Sequence, residues 1–338
     1  MKKTLLYSAL LLATMFAYTG CSDDDDDELV GNWKKASDFE GVARSAAVTF
    51  TIGETTYVGT GYDGKNYLND FWEYNASKGT WTQVASMGER GRNHATAFAT
   101  SSAGYVGLGY NGDDNANLGD FWRYNPTSNS WTEVAPFGGS ARRMAAAFGV
   151  SGKGYVGTGY DGNFLKDFWC YDPSSDTWTQ VTSIGGSKRI GAMTFVIDGK
   201  GYVVGGENNS SLVEDFWAYD ASVDEWSEKR KITDYSDDSY DDDYTSIMRS
   251  FAACFVIDGK AYLACGDRLG SIVNNTWEYN PGTDRWTERT EFEKSGRFET
   301  IGFSANGKGY VTTGRNHSNN RFDDMHELSP KDKYNEYD

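Results

Sequence analysis

Short aromatic and apolar runs recur along this chain at a regular step, separated by polar, glycine-rich punctuation. The word Asp-Phe-Trp stands at positions 70, 120, 167 and 215, and a relative, Asn-Thr-Trp, stands at 275. Two further columns align without a gap. Arg44, Arg92, Arg142, Arg189, Arg249 and Arg297 are each followed six residues later by a phenylalanine, from Phe50 to Phe303. Seven residues beyond each phenylalanine comes a tyrosine, from Tyr57 to Tyr310. A lone site needs its word once, so six copies point to an internal repeat.

Each unit predicts four strands. The first runs from the arginine to the phenylalanine. A tight turn such as Asp258-Gly259 follows, of the kind two-residue hairpins use. The second strand carries the tyrosine and ends at glycines, where close backbone approach is expected. The third carries the Asp-Phe-Trp word. The fourth carries a second tryptophan: Trp81, Trp131, Trp178, Trp226 and Trp286. One such sheet cannot cover its own aromatic faces. Neighbours packed around a ring cover them and leave only short outer edges. The expected fold is therefore all-β: a six-bladed β-propeller of four-stranded antiparallel blades, with Phe71 and Trp72 filling the space between blades.

The sixth unit is degenerate, with His326 where a tryptophan is expected. Its fourth strand is either "KYNEYD" at the C-terminus or "NWKKAS" near the N-terminus. Trp33 lies eleven residues before Arg44, and Trp81, Trp131, Trp178 and Trp286 keep the same distance to their next arginine. The N-terminal strand is thus expected to close the ring, with Trp33 buried against the last blade.

The glycines, the tyrosine and the two spaced tryptophans resemble kelch repeats over residues 32–338. The double glycine of that family is intact only at Gly205-Gly206. The resemblance implies the same propeller.

The N-terminus reads as a targeting segment. Lys2 and Lys3 precede an apolar core, and "YTGC" ends it, so residues 1–20 resemble a lipoprotein signal peptide with Cys21 as the lipidated residue. The acidic run "SDDDDDE" that follows resembles the export signal of surface lipoproteins in Bacteroidetes-type bacteria, with residues 21–31 as linker. Both imply an outer-membrane, surface-exposed protein that touches the membrane only through its lipid. Cys170, Cys254 and Cys265 remain and read as small buried hydrophobes. The net charge of −17 argues against nucleic acid, which needs a basic face.

Function is expected on the rim that carries the variable strand 2–3 loops and the twelve extra residues before Arg249. Two sets of residues there are candidates. The six arginines could fork onto carboxylates of a ligand, or pair with Asp70, Asp120, Asp167, Asp215 and Asp324. Arg249 has Asn275 in place of that acid. Tyr62, Tyr110 and Tyr160 form an arc that could stack on sugar rings or anchor a protein; packing between blades is the alternative. Glu207, Asp267 and Arg315 occupy the same column on the other side. No cofactor is expected. The resemblance to kelch-type copper oxidases fails on ligands, since His94 and His317 lie on different blades. The acidic insert lacks the ordered spacing of a calcium loop. The leading expectation is binding of a glycan or protein. The alternatives are a sialic-acid mutarotase or epimerase, with Glu207 and Glu299 as acid–base candidates, and a scaffold within a surface complex.

Overall fold

The computed structural model describes residues 30–88 and 90–337. The expected signal peptide, Cys21 and the acidic run lie outside them. Six four-stranded antiparallel sheets make up the described chain, with two small hairpins in the loops. Blade 1 runs Val48–Ile52, Thr55–Gly59, Phe71–Asn75, Thr80–Val84. Blades 2 to 5 repeat this order, starting at Thr96–Ala99, Ala146–Val150, Met193–Ile197 and Ala253–Ile257. The first strands of neighbouring blades touch all the way round, and that of blade 6, Ile301–Ala305, returns to Val48–Ile52. They enclose a channel of 560 Å³ lined by small residues such as Ala97, Ala147, Gly149 and Thr194.

The repeated columns explain this packing. Phe50 and Tyr57 are direct cross-strand partners, and their rings stack at 5.1 Å. The same pair stacks in every blade, for example Phe98 on Tyr105 at 4.9 Å and Phe195 on Tyr202 at 4.8 Å. Each phenylalanine also presses on the next blade. A Cβ at Gly104, Gly154, Gly201 or Gly309 would fall 2.0–2.1 Å from Phe50, Phe98, Phe148 or Phe255. The absent side chain there sets the blade spacing. At the hairpin, Asp258 and Gly259 both take positive φ, 49° and 75°, as the predicted turn requires.

Blade 6 comprises Ile301–Ala305, Lys308–Thr312, Met325–Lys333 and, outermost, Val30–Lys35. The N-terminal strand therefore closes the ring, with Trp33 opposite Leu328. Trp33 is fully buried, but its ring reaches past its own blade to blade 5, meeting Phe292 at 5.1 Å and Phe255 at 6.4 Å.

The departures from the double glycine leave the backbone unchanged. Thr60, Leu108, Thr158, Cys265 and Thr313 hold φ of 58–61°, beside 63° at Gly205. A side chain at such an angle is strained, and it persists because the surrounding structure determines it. Cys170, Cys254 and Cys265 are free thiols; Cys265 is buried, and the other two are half-buried. Cys254 pairs with Leu263, as the turn predicts.

Candidate functional site

All six column arginines are 0–1% exposed. They sit in the links between blades, four residues ahead of the first strands, beneath the channel mouth rather than around it. Arg44 grips Asp70 with two bonds of 2.6 and 2.8 Å. Arg92 holds Asp120 at 2.8 and 2.7 Å, Arg142 holds Asp167 at 2.6 and 2.9 Å, and Arg297 holds Asp324 at 2.7 and 2.9 Å. Arg189 and Asp215 form the same ion pair. Each arginine also donates to the carbonyl sixteen residues on, at the first-glycine position, such as Thr60 at 3.1 Å and Cys265 at 2.7 Å. Of the two readings of this column, pairing describes five. None of these guanidinium groups is open to a ligand.

The Asp-Phe-Trp word follows from this girdle. The aspartate neutralises the arginine, and the tryptophan two residues on donates its indole N–H to the same carboxylate. Trp72, Trp122 and Trp169 do so at 2.7–2.8 Å. The phenylalanine fills the blade interface, with Phe71, Phe121 and Phe168 at 0% exposure. Burial opposes ionisation of Asp70, Asp120 and Asp167, but the arginine bonds win and hold these carboxyls below their usual range. Blade 5 solves the problem differently. Arg249 donates to the carbonyls of Ser246, Ile247, Cys265 and Asn275, two of them supplied by the end of the acidic insert.

In blade 6, His326 replaces the tryptophan. Its Nδ1 is buried 3.6 Å from Asp324, too far for a hydrogen bond. Burial pushes its pKa down to about 4, against the pull of Asp324 and with help from Arg297. The unfolded chain therefore takes up a proton between about pH 6.5 and 4 that the folded chain refuses, so stability falls on acidification through that window. His326→Phe should flatten this slope, by up to about 3 kcal/mol across the window. Urea unfolding at pH 7 and pH 5 measures it, and equal slopes in both proteins would refute the assignment.

Above the girdle, the chain forms a collar. Ala46, His94, Met144, Gly191, Phe251 and Glu299, each two residues past a column arginine, all take φ of 48–60°. Their backbones form a closed circle of hydrogen bonds. His94 donates to Ala46 at 3.0 Å, Met144 to His94 at 3.0 Å, Gly191 to Met144 at 3.4 Å and Phe251 to Gly191 at 2.9 Å. Glu299 donates to Phe251 at 3.0 Å and Ala46 to Glu299 at 2.9 Å, which closes the circle. Inside lies a small cavity of 130 Å³ whose lining includes His94, Met144, Phe251 and Glu299.

The next column outward bounds the mouth. Tyr62, Tyr110 and Tyr160 bridge to Ser45, Asn93 and Arg143, while Glu207, Asp267 and Arg315 bridge to Ile190, Ser250 and Phe298. The two halves differ sharply. On blades 1 to 3 the tyrosines are half-buried and linked by further residues. Tyr62 meets Tyr67 at 4.8 Å, and Tyr67 meets Tyr110 of the next blade at 6.0 Å. Arg143 lies between Tyr110 and Tyr160, 4.8 and 5.3 Å from their centroids, and Arg321 lies 4.9 Å from Tyr62. Tyr160 ends the run against Phe164 at 5.4 Å.

Blades 4 to 6 carry a charged cluster. Glu299 accepts two bonds from Arg315, at 2.7 and 3.0 Å, and one from His94 at 3.1 Å. Its burial favours the neutral acid, yet His94 and Arg315 outweigh that and keep it ionised far below the normal range. His317 meets Asp267 at 2.9 Å. Glu207 has only a long contact, 3.4 Å from the Ser250 hydroxyl. Burial, and then the charge of Asp267, push its pKa up, against the Ser250 contact. Of the two acid–base candidates, Glu207 is thus the group poised to exchange a proton, and Glu299 is a fixed anion.

His94 and His317 end on separate carboxylates and share no metal cluster. Among the described residues, Asp234, Asp241 and Asp242 of the insert are the only group placed to share an ion, and Asp241 already accepts from Tyr235 and Ser236 at 3.0–3.2 Å. Sequence reasoning missed Tyr67, Arg143 and Arg321. Arg143 had a signal: its column otherwise holds Ser45, Asn93, Ile190, Ser250 and Phe298, so a cation there is particular to blade 3.

Comparison with known proteins bears on the fold. Residues 37–190 match the KLHDC2/KLHL20/DRC7 Kelch-repeats domain, and residues 191–231 match the Kelch motif. Kelch-like protein 21 from Rattus norvegicus, Bos taurus and Mus musculus is 32% identical over 85 residues, 22% of this chain. The match spans only 14% of those relatives' length. The solved structure of YjhT superposes with a TM-score of 0.70 at 16% identity, over 86% of this chain and 96% of that one. With six blades, the stacked columns and two kelch matches that together run from residue 37 to 231, the chain belongs to the kelch-repeat β-propeller family.

Proposed function

We propose that this protein is a lipid-anchored surface lipoprotein whose propeller binds a glycan across the rim of the strand 2–3 loops. The observation that carries the reading is the divided mouth: linked tyrosine rings on blades 1 to 3 face a cluster of charged groups on blades 4 to 6. Sugar rings present an apolar face and a fringe of hydroxyls. The first suits stacking on tyrosine, and the second suits Glu207, Asp267 and His317. Topology supports the anchor. Val30 enters the propeller at the rim of short hairpins, opposite the mouth. Eight residues lie between it and Cys21, a reach of about 30 Å at most. An anchored propeller would then hold its mouth away from the membrane.

Two measurements test this. On a glycan array, Tyr110→Ala and Tyr160→Ala should each weaken binding about tenfold or more, since one stacked aromatic contributes ~1–3 kcal/mol. Unchanged binding by both variants would end the glycan reading. For export, Cys21→Ser should abolish fatty-acid labelling, and Asp23 to Asp27 replaced by alanine should hide the protein from protease on whole cells. Labelling that survives the first change, or exposure that survives the second, would refute the corresponding step.

Glu207 favours a second reading, a carbohydrate mutarotase or epimerase. A carboxyl with a raised pKa can donate a proton to the ring oxygen as the bond from that oxygen to the anomeric carbon breaks, and its carboxylate can take the proton of the anomeric hydroxyl. Glu207→Gln should then abolish anomer exchange while leaving sugar binding intact.

A further inference from the structure

The two arginines of the tyrosine arc differ from Arg315 and Arg90 on the same rim. Arg315 spends its guanidinium on Glu299, and Arg90 lies 3.7 Å from Asp114. Arg143 and Arg321 have no carboxylate in ion-pair contact among the described residues. The one hydrogen bond of Arg143 is a 3.4 Å contact to the Asn117 side chain. Arg321 donates one bond, to the Asn319 carbonyl at 3.1 Å, and its Nε is buried without a partner. Asp63 lies on the loop beside it but accepts from the Lys65 and Asn66 amides at 2.7 and 2.6 Å. Both guanidinium planes are held by aromatic faces, which fixes their direction while leaving donors unspent.

From this geometry we infer that the ligand of the rim is a linear anionic glycan, with one carboxylate or sulfate on Arg143 and another on Arg321. The inference rests on the glycan reading above. Three tyrosine rings, Tyr62, Tyr67 and Tyr110, separate the two cations. An oligosaccharide can lie along the rings and present an anion at each end of the run. The far side of the mouth defines the path. Arg315 is spent on Glu299 there, so the anions fall to the arc, while hydroxyls of the same glycan can reach Glu207 and Asp267. The acidity of the whole chain does not oppose this. Six of the acidic residues lie in one short segment, 234–243, between blades 4 and 5 rather than on the arc. Close approach at Arg321 also has a structural cause. Gly64 lies under its guanidinium, and a Cβ there would fall 2.8 Å from Nη1.

The test is calorimetric titration of the full chain with three polymers: oligogalacturonate for carboxylates, dextran sulfate for sulfates and dextran as the neutral control. One of the charged polymers should bind at least about tenfold more tightly than dextran, the factor expected for a charged hydrogen bond. Arg143→Gln and Arg321→Gln should each remove about that factor, and Arg143→Lys should keep part of it, with thermal unfolding unchanged. Which charged polymer binds identifies the anion. Binding of dextran that depends on Tyr110 but not on Arg143 would overturn this inference and leave the glycan reading standing. Failure of all three polymers to bind would overturn it outright.

Discussion

Arg92→Met should lower the unfolding free energy by about 3–5 kcal/mol, the loss typical when one partner of a buried ion pair is removed. Arg92 satisfies both oxygens of Asp120 and the Leu108 carbonyl. Without it, the Trp122 indole alone remains on a carboxylate that is three-quarters buried. Arg249→Met should cost less, about 1–3 kcal/mol, because it frees backbone carbonyls but strands no charge. Burial has already pushed Arg249 down to about 9, the mark of a cation without a counterion. Urea midpoints followed by tryptophan fluorescence measure both. A loss below about 1 kcal/mol at Arg92 would mean that water reaches Asp120 and that no buried girdle exists. The pH dependence has a definite sign. These aspartates have depressed pKa values in the fold, so their contribution is complete above about pH 4 and is lost on further acidification.

The same column shows where the sequence speaks and where it is silent. Equal spacing from Arg to Phe to Tyr is a covalent fact, so blade count, strand order and cross-strand partners could be read directly. Whether Arg92 faces a ligand or Asp120 depends on the path of the chain just after it. That path is set at Ala46, His94, Met144, Gly191, Phe251 and Glu299, all left-handed. Only one of them is glycine, so no residue type announces the turn. The circle of backbone hydrogen bonds imposes it, and a circle closes only when all six blades are present. The candidate site divides in the same way. Tyr62, Tyr110 and Tyr160 share a column and were legible. Tyr67 and Arg321 come from loops of unequal length, which no spacing aligns, and Arg143 stood in the shadow of Arg142. Glu207 and Glu299 looked equivalent until their surroundings were known: Arg315 and His94 saturate one, and Ser250 barely touches the other.

Trp33→Ala should cost about 3–5 kcal/mol, the range for truncating a large core aromatic. The residue stands on the strand Val30–Lys35, which closes the ring as the outermost strand of blade 6. Here it is fully buried, with its indole N–H on the Thr290 carbonyl at 3.2 Å and its ring edge-on to Phe292. That strand holds the last blade of the ring together, and among the described residues no further strand lies outside it. If the strand Val30–Lys35 leaves, blade 6 keeps three strands, and the buried faces of Leu328 and Phe255 open to water. The C-terminus has no such role. Beyond Lys333, among the described residues, the Asn335 amide donates to the Asn32 side chain at 3.0 Å, Tyr334 bonds with Glu293, and Tyr337 is 87% exposed. Deleting residues 334 to 338 should therefore cost less than about 1 kcal/mol, as for surface changes. Thermal unfolding of the two variants side by side decides the matter. If the deletion proves the more damaging, the ring is held by its C-terminal end, and the N-terminal strand is a passenger on a blade that closes without it.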